Sequence, residues 1–403
     1  MNFALSQKLS RARVLVALAL GLLTLLTGAL PASAQTETIL YNFCAHTKCF
    51  DGSAPVGPLA RDSKGNLYGA TEQGGTSNAG VIFKLTPQGK YSVIYNFKDT
   101  TDGGQPGTGV VFDSHGNLVG FSAVAGAYGH GTVFSVDPST GVETTLYAFG
   151  ANTGDAQNPV GPPVFDSAGN MYGVSQRGGA IGNGALFKLA ADGTETVLHS
   201  FGEAYGSGID GEIPEAGLII DKYGDLFGTT DGGGLGNDGG VVFEWNALTN
   251  IYSILYSMSL TGDGPSQPNS TLTLSANTLY GTSFTGGTAT QGTVYSVEPA
   301  GGGVWSSNTL YSFSSAVGDY PQSGVLLKNG VLYGTTYRAG EGGSGSLWSL
   351  TTSGTFTTLV NFSGTTTGTY PAGNLIMDGA GNLYGVTFQG GSHSGGTIFK
   401  VTP

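Results

Sequence analysis

The sequence predicts an all-β protein, a seven-bladed β-propeller of four-stranded antiparallel blades whose N-terminal strand completes the last blade. Three observations support this prediction. One sequence unit recurs seven times, each unit holds four short strand-like segments, and the two ends of the chain carry complementary parts of one unit. Four strands in about 40 to 50 residues are typical of one propeller blade.

The repeat is easiest to recognise at the string Gly-Asn-Leu-Tyr-Gly-Ala-Thr, residues 65–71, which has relatives along the whole chain. Its apolar or aromatic centre recurs every 51 to 55 residues, at Tyr68, Val119, Tyr172, Phe227, Tyr280, Tyr333 and Tyr384. A glycine follows each centre, at Gly69, Gly120, Gly173, Gly228, Gly281, Gly334 and Gly385. Since glycine weakens a strand unless another group approaches closely, we expect a bulky side chain of the adjacent blade to cover each one.

Four segments of each unit read as strands. A proline lies 12 or 13 residues before each centre, at Pro55, Pro106, Pro159, Pro214, Pro268, Pro321 and Pro371, and begins an apolar run. In most units the run ends at an Asp followed by a Gly, which is typical of a hairpin turn. A Gly-rich loop then leads to an alternating segment such as Val81–Leu85, and a second turn leads to one such as Val93–Phe97. This pattern has the period of strands and not of helices.

The ends of the chain predict how the ring closes. Thr38–Phe43 is a fourth-strand segment with no first three strands before it, and the last unit stops after its third strand, at Pro403. We therefore expect Thr38–Phe43 to form the outer strand of the last blade, which removes the exposed edges of an open array.

The first 34 residues read as a secretory signal peptide. Basic residues precede an apolar stretch over residues 14–30, which ends near the small-residue site Ala32-Ser33-Ala34. The alternative is an uncleaved membrane anchor, because 17 such residues approach the length of a membrane span. We predict cleavage, leaving residues 35–403 as a single propeller domain that is monomeric, free of the membrane, and periplasmic or extracellular.

The two cysteines of the chain, Cys44 and Cys49, are both in the exported part. Their context and short spacing predict a local disulfide beside the closing strand. Removal of residues 1–34 takes away three basic and no acidic residues, so the formal net charge changes from −12 to −15. Such a chain lacks the Lys and Arg excess that binding of nucleic acid requires.

Three stretches of the chain, Gly65–Thr71, Gly131–Val136 and Gly395–Val401, closely resemble the GloVer-type tandem repeat of exported bacterial proteins. That repeat has a Gly-Asn-Leu-Tyr-Gly-Thr-Thr core and a Gly-Thr-Val-Phe-Lys-Leu strand, and the resemblance extends from Thr38 to Pro403. The first two strands of each unit are also similar to the NHL-type blade, but the glycine after the aromatic centre does not match the NHL-type pattern. The resemblance implies a propeller repeat, and no catalytic residue carries over with it.

We expect a ligand site in the loop after each centre, because the spacing of the repeat is the same there while the residue types differ from blade to blade. The candidate ligand-binding residues there are Glu72, Gln73, Gln176, Arg177, Asp231, Phe284, Tyr337, Arg338, Phe388 and Gln389. The aromatic members fall on three neighbouring blades beside carboxylate, amide and guanidinium groups. Such a surface suits a carbohydrate or an apolar side chain of a partner protein. The alternative is that these aromatic rings only pack the inner rim.

A second set of loops carries acidic residues shortly before the repeat prolines: Asp51, Asp102, Asp155, Asp210, Asp263 and Asp319. An Asp followed by Gly in such a loop is a common turn. The alternative is a ring of carboxylates that holds a metal ion such as Ca²⁺ through oxygen ligands. No other cofactor is indicated.

The sequence favours a binding or surface-interaction module over an enzyme. A propeller lyase, lactonase or glycosidase working in the central channel is the alternative, and it needs a positioned base or a pair of carboxylates with separated pKa values. The histidines of the loops that follow the repeat centres, His130 and His393, lie on blades 2 and 7 and have blade 1 between them. Glu72 or Asp231 within hydrogen-bond reach of a second acid or a His in the channel would favour the enzyme.

Overall fold

The computed structural model describes residues 36–202, 208–235 and 237–403. The predicted signal peptide, residues 1–34, lies outside the described residues. Within the described chain, seven four-stranded antiparallel sheets follow one another as the blades of a propeller. The chain enters through β1 (Thr36–Asn42) and a short 3-10 turn, Thr47–Cys49, before blade 1 begins. The all-β propeller predicted from the repeat is confirmed.

The strands of the first four blades are as follows. Blade 1 contains β2 (Ser53–Arg61), β3 (Leu67–Gln73), β4 (Val81–Leu85) and β5 (Tyr91–Asn96). Blade 2 contains β6 (Val111–Phe112), β7 (Leu118–Ser122), β8 (Thr132–Val136) and β9 (Glu143–Ala148). Blade 3 contains β10 (Ala156–Phe165), β11 (Met171–Gly178), β12 (Ala185–Leu189) and β13 (Glu195–Ser200). Blade 4 contains β14 (Ile219–Ile220), β15 (Leu226–Thr230), β16 (Val241–Asn246) and β17 (Ile251–Ser257).

Blade 5 carries an additional two-stranded ribbon, formed by β18 (Pro265–Ser266) and β21 (Thr285–Gly286). Its main sheet contains β19 (Thr273–Ser275), β20 (Thr278–Ser283), β22 (Thr293–Gly301) and β23 (Val304–Ser312). Blade 6 contains β24 (Leu326–Lys328), β25 (Val331–Thr336), β26 (Ser346–Thr351) and β27 (Phe356–Asn361). Blade 7 contains β28 (Thr369–Met377), β29 (Leu383–Gln389) and β30 (Thr397–Thr402). The apolar segment predicted at Val81–Leu85 matches β4 residue for residue.

The ring closes where the ends of the chain predict. Blade 7 has the strand order β1-β30-β29-β28, so the N-terminal strand is its outer strand. The backbone N–H of Phe43 donates to the carbonyl of Gly396 at 2.9 Å, as that of Phe97 does to Gly80 inside blade 1. The Phe43 side chain is fully buried, and its ring lies 5.2 Å from that of Phe83 in blade 1. The closing strand therefore joins blade 7 to blade 1 as well as completing a sheet.

The predicted disulfide is present between Cys44 and Cys49, directly after the closing strand. In the same segment, the carboxylate of Asp51 accepts hydrogen bonds from the Tyr41 hydroxyl at 2.8 Å and from the Ala45 backbone at 3.0 Å. The disulfide and this carboxylate together fix the connection between β1 and blade 1. A disulfide also favours an oxidising compartment.

The glycine after each repeat centre is covered by a ring, but the ring belongs to the same blade. Gly69 of β3 lies directly opposite Phe83 of β4. A Cβ on Gly69 would lie 2.6 Å from Phe83 Cζ and 2.9 Å from Leu59 Cδ2. The seven covering rings are those of Phe83, Phe134, Phe187, Phe243, Tyr295, Trp348 and Phe399.

The expectation that the adjacent blade supplies these rings is therefore wrong. Opposite residues on paired strands have Cβ atoms about 4.5 to 5.5 Å apart, whereas packed sheets are about 10 Å apart. A ring from the paired strand therefore reaches the glycine first. Gly173 has an additional contact, 2.8 Å from its Cβ position to Phe121 Cζ of blade 2.

We expect Gly69→Ala to lower the free energy of unfolding by about 1 to 3 kcal/mol, because the new methyl group overpacks the site beneath Phe83. Gly379→Ala is the matched control, since a Cβ there meets nothing within 4 Å and its backbone needs no positive φ. The control should be neutral or slightly stabilising. Chemical denaturation of both variants measures the difference, and equal stabilities would contradict this account of the glycine.

Removal of the disulfide tests the seam. We expect the double variant Cys44→Ser, Cys49→Ser to lose about 2 kcal/mol of unfolding free energy, the chain-entropy value for so short a loop. Reduction of the wild type should give the same loss, measured by thermal denaturation with and without reductant. The double variant itself should not respond to reductant. A wild type whose melting temperature is also unchanged by reductant would show that the seam does not depend on the bridge.

Candidate functional site at the channel mouth

The first segments of the seven blades surround a narrow central channel of about 190 Å³. Every blade contributes residues that follow its repeat proline, including Val56, Thr108, Pro162, Glu215, Asn269, Gln322 and Asn374. Backbones of neighbouring blades touch at the wall. Gly57 has a φ of +72°, and a Cβ there would collide with the backbone of Gly109 in blade 2. The channel is narrow because glycine lets the main chains approach this closely.

The residue directly before the repeat proline has the same unusual conformation in every blade. Its φ lies between +50° and +59° at Ala54, Gln105, Asn158, Ile213, Gln267, Tyr320 and Tyr370. For residues other than glycine this left-handed region costs roughly 1 to 2 kcal/mol. Each backbone N–H donates to a carbonyl in the second-to-third strand loop of the preceding blade, for example Tyr370 to Ser344 at 2.9 Å. This bond compensates the strain and ties one blade to the next.

The left-handed turn brings two variable positions together across each of four blade boundaries. Phe284 of blade 5 stacks on Tyr320 of blade 6 with ring centroids 4.8 Å apart, and Tyr337 stacks on Tyr370 at 4.9 Å. At the boundary of blades 2 and 3, Asn158 Nδ2 donates to the carbonyl of Ala123 at 2.8 Å. At the boundary of blades 4 and 5, the side chain of Gln267 lies near Asp231 and offsets part of the rise in the pKa of that carboxyl. We call this circle of residue pairs the rim.

One side of the rim is aromatic. It comprises the two stacked pairs and Phe388 of blade 7, all of them half-buried. The pre-proline residue that follows Phe388 around the ring is Ala54 of blade 1, which is small and buried. The exposed guanidinium of Arg338 lies 5.6 Å from the centre of the Tyr337 ring. The sequence found Phe284, Tyr337 and Phe388 but missed Tyr320 and Tyr370, although both stand at the equivalent place directly before a repeat proline.

The other side of the rim is polar and acidic. Glu72 reaches the channel wall of blade 2, where a Cβ on Gly107 would lie 2.8 Å from its Oε1. Burial raises the pKa of Glu72. Glu215 lines the channel, and desolvation together with the nearby charge of Asp231 raises its pKa. Burial and the charge of Asp238 also raise the pKa of Asp231. Glu215 was missed from the sequence; its signal is an acid directly after a repeat proline.

The remaining candidates of the rim differ in exposure. Gln176 of blade 3 is half-buried, like Glu72. Their neighbours Gln73, Arg177 and Gln389 are exposed. The structure therefore separates the paired candidates of the sequence into a half-buried residue and an exposed one.

Three of the acidic residues before the prolines, Asp51, Asp102 and Asp155, accept a hydrogen bond from a tyrosine hydroxyl of the preceding strand. Asp102 accepts hydrogen bonds from the Tyr95 hydroxyl at 2.8 Å and from Thr100 Oγ1 at 2.9 Å. Burial raises the pKa of Asp102, but these hydrogen bonds outweigh it and lower the pKa. Asp155 accepts from Tyr147 at 3.1 Å in the same way.

At the connection from blade 3 to blade 4, a histidine of β13 takes the place of the tyrosine. His199 Nε2 lies 3.0 Å from Asp210 Oδ2, and its ring stacks on Tyr252 at 3.8 Å. Asp319 is buried beside Arg338, and Asp263 is exposed. In the described chain, no three His, Cys, Asp or Glu side chains gather into a group that could hold a metal ion. The Ca²⁺ site stays a prediction.

No helix among the described residues is long and apolar enough to span a membrane.

Solved structures similar to this one are propellers at low sequence identity. An oligogalacturonate lyase from Vibrio parahaemolyticus matches with a TM-score of 0.56 and 10% identity, over 92% of this chain and 94% of that one. An extracellular domain assigned to a one-component system of B. thetaiotaomicron matches with a TM-score of 0.54 and 15% identity, over 87% of this chain. This match covers 40% of that chain.

A protein from Bacteroides uniformis assigned as a 6-phosphogluconolactonase matches with a TM-score of 0.50 and 15% identity, over 79% of this chain and 88% of that one. At these identities the matches show the propeller fold alone. No curated protein sequence matches the chain. Residues 29–243 and 217–403 match the Gloeobacter/Verrucomicrobia repeat, so almost the whole of the described chain is covered. The glycine-centred blades described above are thus the repeats of a known family, and the chain belongs to the Gloeobacter/Verrucomicrobia repeat family.

Proposed function

We propose that this protein is an exported binding module whose channel mouth takes a neutral oligosaccharide. The observation that carries the proposal is the two-sided rim, in which stacked aromatic pairs on blades 5 to 7 face carboxylates and amides of the other blades. Export is supported by the disulfide and by the predicted signal peptide. The compartment is the periplasm or the outside of the cell.

The aromatic side supplies flat apolar surface of the kind that packs against the C–H faces of sugar rings. Two stacked pairs and Phe388 follow one another over three adjacent blades, so a chain of sugar units has several consecutive contact positions. Tyrosine adds a hydroxyl at the polar end of its ring, which suits a ligand with both kinds of surface. A protein side chain needs only one such position, whereas an arc suits an extended ligand.

The polar side supplies hydrogen-bond acceptors and amides for sugar hydroxyl groups. Glu72, Asp231 and Glu215 are acceptors when ionised, and Gln176 and Gln267 both donate and accept. Three carboxyl groups near the channel disfavour an anionic sugar, and the formal net charge of −12 for the chain acts in the same direction. The proposed ligand is therefore uncharged.

The size of the channel supports a ligand that lies on its mouth. A volume of about 190 Å³ is below the range of about 300 to 1,000 Å³ that is typical of small-molecule pockets. Only a terminal group of the ligand can enter, with the rest lying across the rim. This arrangement resembles an interaction surface more than an enclosed active site.

A glycan-binding screen of residues 35–403 tests the proposal. We expect the triple variant Phe284→Ala, Tyr337→Ala, Phe388→Ala to lose at least tenfold in affinity, since each ring contributes roughly 1 kcal/mol and 1.4 kcal/mol is a factor of ten. Tyr223→Ala is the matched control, because Tyr223 is an aromatic residue that is 73% exposed in a blade 4 hairpin turn outside the rim. Binding that survives in the triple variant would contradict the site.

The Glu215–Asp231 pair favours a second candidate, a sugar-cleaving enzyme. Glu215 is an exposed residue that lines the channel, and Asp231 is half-buried at the rim. Desolvation is the main cause that raises the pKa of each, and the charge of Asp231 raises the pKa of Glu215 further. A group with a raised pKa stays protonated at a higher pH and can serve as a general acid. The partner carboxylate would then activate water.

If the bound oligosaccharide is cleaved, we expect Glu215→Gln to lower kcat at least a hundredfold, the usual contribution of a general acid. Asp231→Asn removes the neighbouring charge and should lower the pKa of Glu215, so the alkaline limb of the remaining activity moves to lower pH. Product analysis by chromatography across a pH series measures both effects. Binding without any product, in the wild type, leaves the binding module as the function.

A further inference from the structure

Blade 2 departs from the other six at the repeat centre. Where the others carry an aromatic ring, at Tyr68, Tyr172, Phe227, Tyr280, Tyr333 and Tyr384, blade 2 has Val119. The aromatic ring normally lies between its own blade and the first strand of the next one. Tyr68, for example, packs edge to face on Phe112 of blade 2 with ring centroids 5.3 Å apart. The equivalent space between blades 2 and 3 lacks this ring.

The residue opposite the centre is a serine in blade 2, as it is in blades 5 and 6, whereas blades 1 and 3 have a lysine there. In blade 1 Tyr68 pairs with Lys84, whose ammonium group lies 5.4 Å from the centre of the tyrosine ring. In blade 3 Lys188 lies over Tyr172 in the same way, at 5.9 Å. In blade 2 the pair is Val119 and Ser135. Blade 2 has therefore lost both large side chains of this cross-strand pair.

A cleft of about 800 Å³ occupies this place. Phe165 and Leu146 form its apolar wall, and Val119 and Met171, only 1% and 4% exposed, lie at its base. Leu146 is 39% exposed, while the aliphatic residues at the same strand position, Ile94 and Leu198, are partly buried against the clusters that contain Tyr68 and Tyr172. The volume lies within the range of about 300 to 1,000 Å³ for small-molecule sites. The cleft is formed by the hairpin turns of blades 2 and 3 and lies apart from the rim.

The carboxylate of Asp113, at the end of the cleft, lacks a hydrogen bond that the equivalent carboxylates of three other blades accept from a tyrosine hydroxyl. Asp62, Asp166 and Asp378 each accept a hydrogen bond from the tyrosine of their own blade, at 3.2, 3.0 and 3.0 Å. Asp113 of blade 2 keeps the other bonds of this turn, from the backbone and side chain of Asn117 at 2.8 and 2.9 Å. Its Oδ2 receives no tyrosine hydroxyl, because Val119 has none.

We propose that this cleft is a binding site for a small phenolic compound, whose ring takes the position of the missing tyrosine side chain and whose hydroxyl donates to Asp113. Six other blades show which chemical group fits this place, and three of them show the hydrogen bond that it makes. The charge of the site also favours some phenols over others. Asp113, Asp166 and Asp192 line the cleft with His115, and no Lys or Arg among the described residues does, so an uncharged phenol is favoured over a carboxylated one.

Isothermal titration of residues 35–403 with p-cresol, which is the tyrosine side chain itself, tests the site. We expect saturable binding of p-cresol and roughly tenfold weaker binding of toluene, since a hydrogen bond to a charged group is lost. 4-Hydroxybenzoate should also bind more weakly than p-cresol. Equal binding of toluene and p-cresol would overturn the role of Asp113, and absence of p-cresol binding would overturn the site.

Variants connect the binding to this cleft. Val119→Tyr restores the ring of the other blades, so it should abolish p-cresol binding and raise the melting temperature. Phe227→Tyr introduces the same residue at the equivalent place in blade 4 and should leave binding unchanged. Leu146→Asp changes an exposed wall residue without disturbing the core and should weaken binding at least tenfold. Unchanged affinity in both Val119→Tyr and Leu146→Asp would place the p-cresol elsewhere and refute the proposal.

Discussion

The backbone hydrogen bond made by each pre-proline residue is the interaction on which the ring depends. It joins the first strand of one blade to a loop of the blade before it, and it recurs at all seven boundaries, including that between Ala54 and Gly395 across the seam. It requires a left-handed conformation at residues such as Tyr320 and Tyr370, which costs free energy locally. The same conformation orients their side chains toward the preceding blade. One constraint therefore both assembles the propeller and constructs the rim at its channel mouth.

Glycine makes the close approaches of this fold possible. At the repeat centre it leaves space for a ring of the paired strand, as Gly69 does for Phe83, and at the channel wall it lets the main chains of blades 1 and 2 touch near Gly57. Both contacts exclude a Cβ atom, so the 71 glycines of the chain include many that packing requires. The narrow channel follows from the second contact, and it confines any ligand to the mouth.

Departures from the repeat carry more functional information than the repeat itself. Val119 interrupts a row of six aromatic residues and leaves a cleft with apolar walls and a carboxylate. Glu215 is the acid among the seven residues that directly follow the repeat prolines, and it lines the channel, where the charge of Asp231 contributes to its raised pKa. In both cases the surrounding blades show what an unmodified unit looks like. In a repeat protein, the other blades thus serve as a direct comparison for each exceptional residue.

The sequence by itself determined the blade count, the strand order within each blade, the closing strand and the disulfide. These depend on local patterns and on the phase of a repeat, which a linear chain displays directly. Only the tertiary structure decided which ring covers each glycine, and it placed Tyr320 and Tyr370 opposite Phe284 and Tyr337. It also showed that the absence of one tyrosine leaves an open cleft. Such contacts join residues far apart in the chain. Their geometry follows from the twist of the blades and from the left-handed turns between them. The spacing of residues in the sequence does not encode this geometry.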